Sequence, residues 1–242
     1  MGERYARQMV MPEIGISGQE KLRESRVFVV GAGGLGSPLL IYLAAAGVGH
    51  IGIMENDRLS LSNLNRQVLY TADDLGHSKA LTAVKHLQEF NPEIQVTAYV
   101  NRFTPETASK ALGYDAVVDA SDNLETKSLL NAWCVHHHIP LIWAAVSRFE
   151  GQMGTFVPGH ACRACIFPKN PEPGTYPSPA ELGVVGAAAG VMGTLQALEV
   201  IKVLLQKGNP LLDRMLIVDG YHGEFETILF DKNPTCPICS QV

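Results

Sequence analysis

Positive charge is in short supply in this chain: 24 Asp and Glu against 19 Lys and Arg leave a net charge of −5. That balance argues against nucleic acid or an anionic membrane as the main partner. Nor does the sequence open on an apolar signal core, since it begins Met1-Gly2-Glu3-Arg4, so its thiols are expected to stay reduced in the cytoplasm. No linker-like stretch separates two cores, and no internal repeat or low-complexity tract is present. One α/β domain over residues 1–242 is therefore expected. An uninterrupted membrane span is missing as well. The longest apolar run, 184–205, carries Gln196, Glu199 and Lys202 three residues apart on one helical face, which reads as a buried or interface helix. Gly186, Gly190 and Gly193 in the same run permit close backbone packing and suggest a tight helix contact, including one across a dimer.

Cysteines number only five, but four of them fall in two Cys-x-x-Cys pairs, Cys162/Cys165 and Cys236/Cys239. Each pair puts two thiolates on one tight turn, and two such turns complete the tetrahedral sulfur shell that Zn²⁺ prefers. Disulfides or redox motifs are the alternative, and the lack of an export signal weighs against them. A zinc ion here would staple the end of the chain to a segment far upstream. Cys134, alone in a helical pattern, is expected to be a buried small hydrophobe. His136-His137-His138 looks like a metal tract, but consecutive side chains on a helix point apart, so a solvated helix end is expected.

Residues 26–30 form an apolar run leading into Gly31-Ala-Gly-Gly-Leu-Gly36, after which 37–46 reads as a helix with Pro38 in its first turn. That is strand, glycine turn, helix. A strand over 50–54 ends in Glu55-Asn56-Asp57, which places an acid about 20 residues past the glycine turn, where ribose hydroxyls are usually held. There follow a helix over 75–90, a strand over 94–100, a helix over 105–112, a strand over 115–119, a helix over 124–137 and a strand over 140–144. The alternation predicts a Rossmann-like, doubly wound, mostly parallel sheet. Strands predicted over 152–157, 215–219 and 224–230 extend it in antiparallel fashion. Segment 168–179 carries five prolines and is expected to be an extended surface stretch able to cover or cross a site.

Glycines 31, 33 and 36 let the backbone approach a phosphate while the following helix offers its free N–H groups. Taken alone, this fits a nicotinamide dehydrogenase, a flavoprotein or a nucleotide-activating enzyme equally well. The narrowing signal is what the topology brings to the same edge: Glu55, Asp122, the polar stretch 58–67 with Arg66 beside two amides, and Lys79. Hydride transfer has no need of fixed cations there, whereas expulsion of pyrophosphate does. Asp122 either caps the next helix or holds Mg²⁺ beside a phosphate.

Arg4-Tyr-Ala-Arg-Gln8, Gly31-Ala-Gly-Gly-Leu-Gly-Ser37, Leu61-Ser-Asn-Leu-Asn-Arg-Gln67, Ser78-Lys79, Ser121-Asp-Asn123, Gly183-Val-Val-Gly186 and both cysteine pairs together resemble the MoeB/ThiF/HesA adenylyltransferases, bacterial relatives of the ubiquitin-activating enzymes. The resemblance runs over essentially the whole chain, in order. It implies ATP- and Mg²⁺-dependent adenylation of the C-terminal glycine of a small ubiquitin-like sulfur-carrier protein ending in Gly-Gly. Pyrophosphate is released, the enzyme is usually a homodimer, and the pathway is sulfur transfer for molybdopterin or thiamin biosynthesis. Residues 26–145 are then the ATP-binding Rossmann-like half and 151–242 the carrier-binding, zinc-stapled half. By motif, Gly31, Gly33, Gly34 and Gly36 contact ATP phosphates, and Glu55, with Asp57 beside it, takes the ribose position where the family more often has Asp. Asn63, Arg66 and Lys79 match phosphate and transition-state residues, Asp122 matches the magnesium-linked aspartate with Asn123 beside it counted among the nucleotide-binding residues, and Arg7 matches an arginine that reaches the partner subunit's ATP. The implied catalytic set is Arg7, Arg66, Lys79 and Asp122. Cys162, Cys165, Cys236 and Cys239 match the zinc ligands.

Two departures shape the expectation. Aligning on Gly183 puts Pro179 where many family members carry a cysteine that in some links covalently to the carrier, so adenylation without a covalent enzyme–carrier step is expected. The sequence ends three residues after Cys239 with no rhodanese-type domain, so a separate protein is expected to donate sulfur. An NAD-dependent oxidoreductase and a catalytically idle carrier-binding scaffold are the competing readings, and ATP–pyrophosphate exchange separates them from an adenylyltransferase.

Overall fold

Four apolar residues in succession after Arg26 leave no face of that segment suited to water. In the computed structural model, which describes residues 3–169 and 179–240, the segment is the central strand β1 (Arg26–Val30). Two helices, α1 (Ala6–Met9) and α2 (Gly15–Glu24), lead into it. After it come α3 (Gly36–Ala46), β2 (His50–Met54), α4 (Lys79–Phe90), β3 (Gln95–Tyr99), β4 (Ala116–Asp119), α5 (Leu124–His136), β5 (Leu141–Ser147) and β6 (Glu150–Phe156). Helices α6 (Arg163–Ile166), α7 (Pro179–Leu182) and α8 (Gly186–Leu205) precede the hairpin of β7 (Arg214–Asp219) and β8 (Glu224–Leu229).

The described strands form one sheet of eight in the order β3-β2-β1-β4-β5-β6-β7-β8. The first five run parallel, with Val27 opposite Ile51 on one side and Ala116 on the other, and the last three add antiparallel neighbours. Alternate residues of β1 feed two cores. Val27 and Val29 join Ile51, Ile53 and the helices α3, α4 and α8; Phe28 and Val30 join Met54, Leu130 and Trp143 on the opposite face. This is the doubly wound, mostly parallel arrangement expected, with its antiparallel extension.

Helix α8 is long and apolar enough to cross a bilayer, yet about half of it is buried within the protein, where it packs on α3 and β5. Its polar residues have internal partners. Gln196 donates to the Asp119 carbonyl at 2.9 Å, while Glu199 accepts from the Thr155 hydroxyl and the Leu211 amide and pairs with Lys202. The glycine string in α8 is explained largely within one chain. Gly193 lies against the Leu35 carbonyl and Pro38, and Gly186 against the Asn65 carbonyl, so neither has room for a Cβ, whereas Gly190 faces open space.

Some boundaries differ from the expected ones for local reasons. The helix predicted over 75–90 begins only at Lys79, because Gly76 is left-handed at φ +81° and donates its amide to the Leu59 carbonyl. The helix predicted over 105–112 is a single 3-10 turn, Ala108–Ala111. There the Thr107 hydroxyl competes for the backbone, bonding the Thr104 amide and the Arg102 carbonyl. The proline-rich expectation over 168–179 falls mainly on 170–178, outside the described residues. His136 and His138 are exposed at the end of α5, and His137 stacks on Trp133 at 4.3 Å.

Candidate active site

β1 and β4 are neighbours in the sheet, but their chains leave in opposite directions, so a crevice opens at their carboxyl ends. A cleft of about 780 Å³ lies there, within the size range of a small-molecule site. The glycine turn forms one wall. Gly31 sits at φ +99°, and a Cβ on it would lie 2.5 Å from the Ala120 carbonyl. Only glycine suits this close crossing of β1 and β4. Gly31, Gly33 and Gly34 line the cleft, whereas Gly36 is tucked beneath the turn against the Gly31 carbonyl and does not. The turn is braced from outside by Tyr70, whose hydroxyl donates to the Ala32 carbonyl at 2.8 Å. Burial, with Glu55 and Asp74 nearby, pushes the Tyr70 pKa far up and keeps it a neutral donor.

Glu55 and Asp57 enter the cleft from the end of β2. The Glu55 carboxylate accepts the Ala32 amide at 3.1 Å and the Asp57 amide at 2.9 Å. Lys79, buried at the first turn of α4, reaches Asp57 at 3.3 Å. Arg66 is held by the Ser62 carbonyl and the Asn65 side chain, and its aliphatic stem lies along Gly34. From β4, Asp122 lines the cleft as an exposed carboxylate. It is not the helix cap, because Asn123 caps α5 by accepting the Thr126 amide at 2.9 Å. Besides Gly36, two of the sequence-derived residues lie outside the cleft lining. The Asn63 side chain closes a 3-10 turn on the Ser60 amide outside the cleft lining, and Arg7 is exposed on α1, away from its own chain's cleft.

Sequence reasoning missed Lys127 and Arg102, which also line the cleft, as do Gln67 and Ser121, which fall within the quoted motifs but were given no role of their own. Lys127 is almost fully buried in its floor, donating to the Ala144 carbonyl at 2.7 Å and to Asp119 at 3.3 Å. Burial pushes its pKa down while Asp119 opposes that shift. A signal existed: Lys127 shares the buried helical face of Leu130, Asn131 and Cys134, at spacings of three, four and seven.

The four paired cysteines converge. All four sulfurs lie within 4.8 Å of one another, with Cys162 and Cys236 at 3.8 Å and Cys165 and Cys239 at 3.4 Å. A Zn–S bond of about 2.3 Å sets the corners of a tetrahedron about 3.8 Å apart, so the cluster fits a metal of that kind. Hydrogen bonds also reach the sulfurs, from Asn131 to Cys162 at 3.6 Å and from the Asn233 amide to Cys165 at 3.4 Å. Cys134 stands apart in α5, and burial pushes its thiol pKa well up.

Comparison with known proteins places this geometry among relatives. The ThiF family profile matches residues 5–238. A sulfur carrier protein adenylyltransferase of Thermus thermophilus is 48% identical, the match covering 98% of this chain and 90% of that protein. The SAMP-activating enzyme E1 of Haloferax volcanii is 44% identical over 99% of this chain and 89% of its own. Among solved structures, E. coli MccB with ATP superposes with a TM-score of 0.83 at 25% identity, covering 99% of this chain and 74% of MccB.

Proposed function

The chain belongs to the ThiF family and is an adenylyltransferase, and from that premise we propose that it activates the C-terminal glycine of a small ubiquitin-like sulfur-carrier protein with ATP. The observation that carries this reading is the meeting of Arg66, Lys79 and Asp122 with the glycine turn around one cleft. A terminal carboxylate has a pKa of ~3.5 and is already anionic at neutral pH, so the reaction needs no general base. Its oxygen attacks the α-phosphorus, the bond from that phosphorus to the bridging oxygen breaks, and pyrophosphate leaves with the electron pair. No proton moves.

The task for the protein is therefore to bring two anions together. In this reading the glycine-turn amides hold the phosphates, Glu55 holds the ribose, and Arg66 and Lys79 offset charge moving onto pyrophosphate. Asp122 would hold Mg²⁺, which when bound neutralises triphosphate charge. Arg7, remote from its own cleft, would serve the cleft of a second copy in a homodimer. Cys162, Cys165, Cys236 and Cys239 would hold zinc, which takes no part in the bond-making step. With Pro179 in place of a nucleophile and Cys134 buried, the carrier leaves as the acyl-adenylate, and a separate cytoplasmic protein supplies sulfur. Carrier-dependent ATP–pyrophosphate exchange tests the reading, with the small Gly-Gly-ending proteins of the source organism offered in turn. An idle scaffold or a nicotinamide enzyme would bind without exchange.

A further inference from the structure

Arg163 lies between two of the metal-capable cysteines, where an exposed residue would be the simple expectation, yet it is only 5% exposed. Its guanidinium turns inward, 5.6 Å over the Trp143 ring and 5.1 Å over Phe167, and donates to the Ser128 hydroxyl on α5 at 3.4 Å. Its backbone amide donates to Asn131 at 2.9 Å, and the same Asn131 donates to the Cys162 sulfur. The turn 162–165 is thus fastened to α5 at two points.

The far side of this contact is the floor of the nucleotide cleft. The Trp143 ring that carries Arg163 also carries the Lys127 ammonium, at 5.6 Å. Lys127 holds one oxygen of Asp119, and that oxygen also accepts the Ser121 amide at 3.0 Å and the Ser121 hydroxyl at 2.6 Å. These bonds shape the turn that presents Asp122. The guanidinium is incompletely tied down, since Arg163 Nε has no protein hydrogen-bond partner among the described residues, nor has the second Asp119 oxygen. Stacking, the Ser128 bond and the attachment of the turn 162–165 therefore decide where the cation sits.

We propose that Arg163 is a positioning residue that couples the metal held by the four cysteines to the nucleotide cleft. Binding of a divalent cation displaces the thiol protons and draws the four resulting thiolates onto it. Convergence fixes the turn 162–165 and seats Arg163 under α5 beside Trp143. That placement sets the Lys127–Asp119 pair and hence the turn bearing Ser121 and Asp122. Linkage makes the effect reciprocal: if the metal tightens nucleotide, nucleotide tightens the metal by the same factor. The inference rests on the reading of the cleft as an ATP site, but its test is separable from that reading.

The test measures zinc affinity by competition with a chromogenic chelator, with and without saturating ATP-Mg²⁺, in the full-length protein. Nucleotide affinity is measured in parallel by calorimetry. Saturating nucleotide should raise zinc affinity in the unaltered protein by about 5- to 150-fold, the usual range of coupling between sites. In Arg163→Met the protein should still bind one zinc per chain while the nucleotide-dependent gain shrinks toward none; Arg163→Lys, which keeps a cation over Trp143, should recover part of it. If Arg163→Met does not fold, Ser128→Ala, which removes the acceptor of the guanidinium, should show a smaller loss of the same gain. Zinc affinity indifferent to nucleotide in a protein that binds nucleotide overturns the proposal, as does undiminished coupling in the variants. A protein that binds zinc but no nucleotide overturns the adenylation reading instead.

Discussion

The Glu55 carboxylate lies 3.1 Å from the amide nitrogen of Ala32, so the acid proposed to hold the ribose also braces the glycine turn proposed to hold the phosphates. Its other oxygen takes the Asp57 amide. Glu55→Gln exchanges one acceptor oxygen for a donor and leaves one of these two amides unpaired. Hydrogen bonds to charged groups contribute about 1.5–3 kcal/mol, roughly 10- to 100-fold. The KM for ATP in the exchange assay should rise by about that factor, with kcat changed less. An unchanged KM would remove Glu55 from the nucleotide site.

In the proposed reaction Arg66, Lys79 and Asp122 would bear on the transition state more than on binding. Arg66→Ala, Lys79→Ala and Asp122→Ala should each lower carrier-dependent exchange by about 10²- to 10³-fold, as loss of one fixed charge-stabilising contact does in such sites. Circular dichroism should show the Arg66 and Asp122 variants folded, because neither residue is in the core. Lys79 is the exception to watch, since it is buried against Asp57, and its melting temperature belongs beside its rate. Normal exchange in all three variants would sink the assignment.

Freshly reduced protein should contain one zinc per chain, read by metal analysis. Chelation, or Cys236→Ser, should lower the melting temperature markedly, because the four converging sulfurs tie the end of the chain to the turn 162–165, and none of them lines the cleft itself. Metal-free protein with an unaltered melting temperature would show that the sulfur cluster has no structural role.

No thioester or acyl-disulfide to the enzyme should form during turnover. Transfer to sulfur needs an accessible thiolate near the adenylate, and Cys134 is 2% exposed with its thiol pKa pushed up by burial. Intact-mass measurement and nonreducing gels, with and without a sulfur donor, provide the check. An enzyme–carrier adduct that disappears in Cys134→Ser would make that residue a nucleophile after all.

Much of the architecture was legible because its signals are local. The apolar run at 26–30, the glycine turn and the acid after β2 each announce themselves within a few residues. The start of α4 was not, because the apolar spacing continues back to Leu75 while Gly76 takes a left-handed turn that only the Leu59 contact explains. Lys127 was overlooked for a different reason: a lysine on a helix is ordinarily solvated, and its burial depends on Asp119 and Ala144, which come from two other strands. Asn63 shows the converse. Its neighbourhood in sequence is that of a phosphate-site residue, yet its carbonyl oxygen serves a turn, a competition that spacing alone does not display.

The sulfur cluster joins positions 74 residues apart, Cys162 to Cys236 and Cys165 to Cys239. With a metal between them, the chain from 165 to 236 becomes a closed ring that contains α8 and the β7–β8 hairpin. Closing so long a loop restricts the unfolded chain more than it adds contacts to the folded one. It also changes what a protease can achieve. One cut anywhere within the ring leaves the two fragments bound through the metal, so a nicked molecule would stay a single particle until the ion is withdrawn.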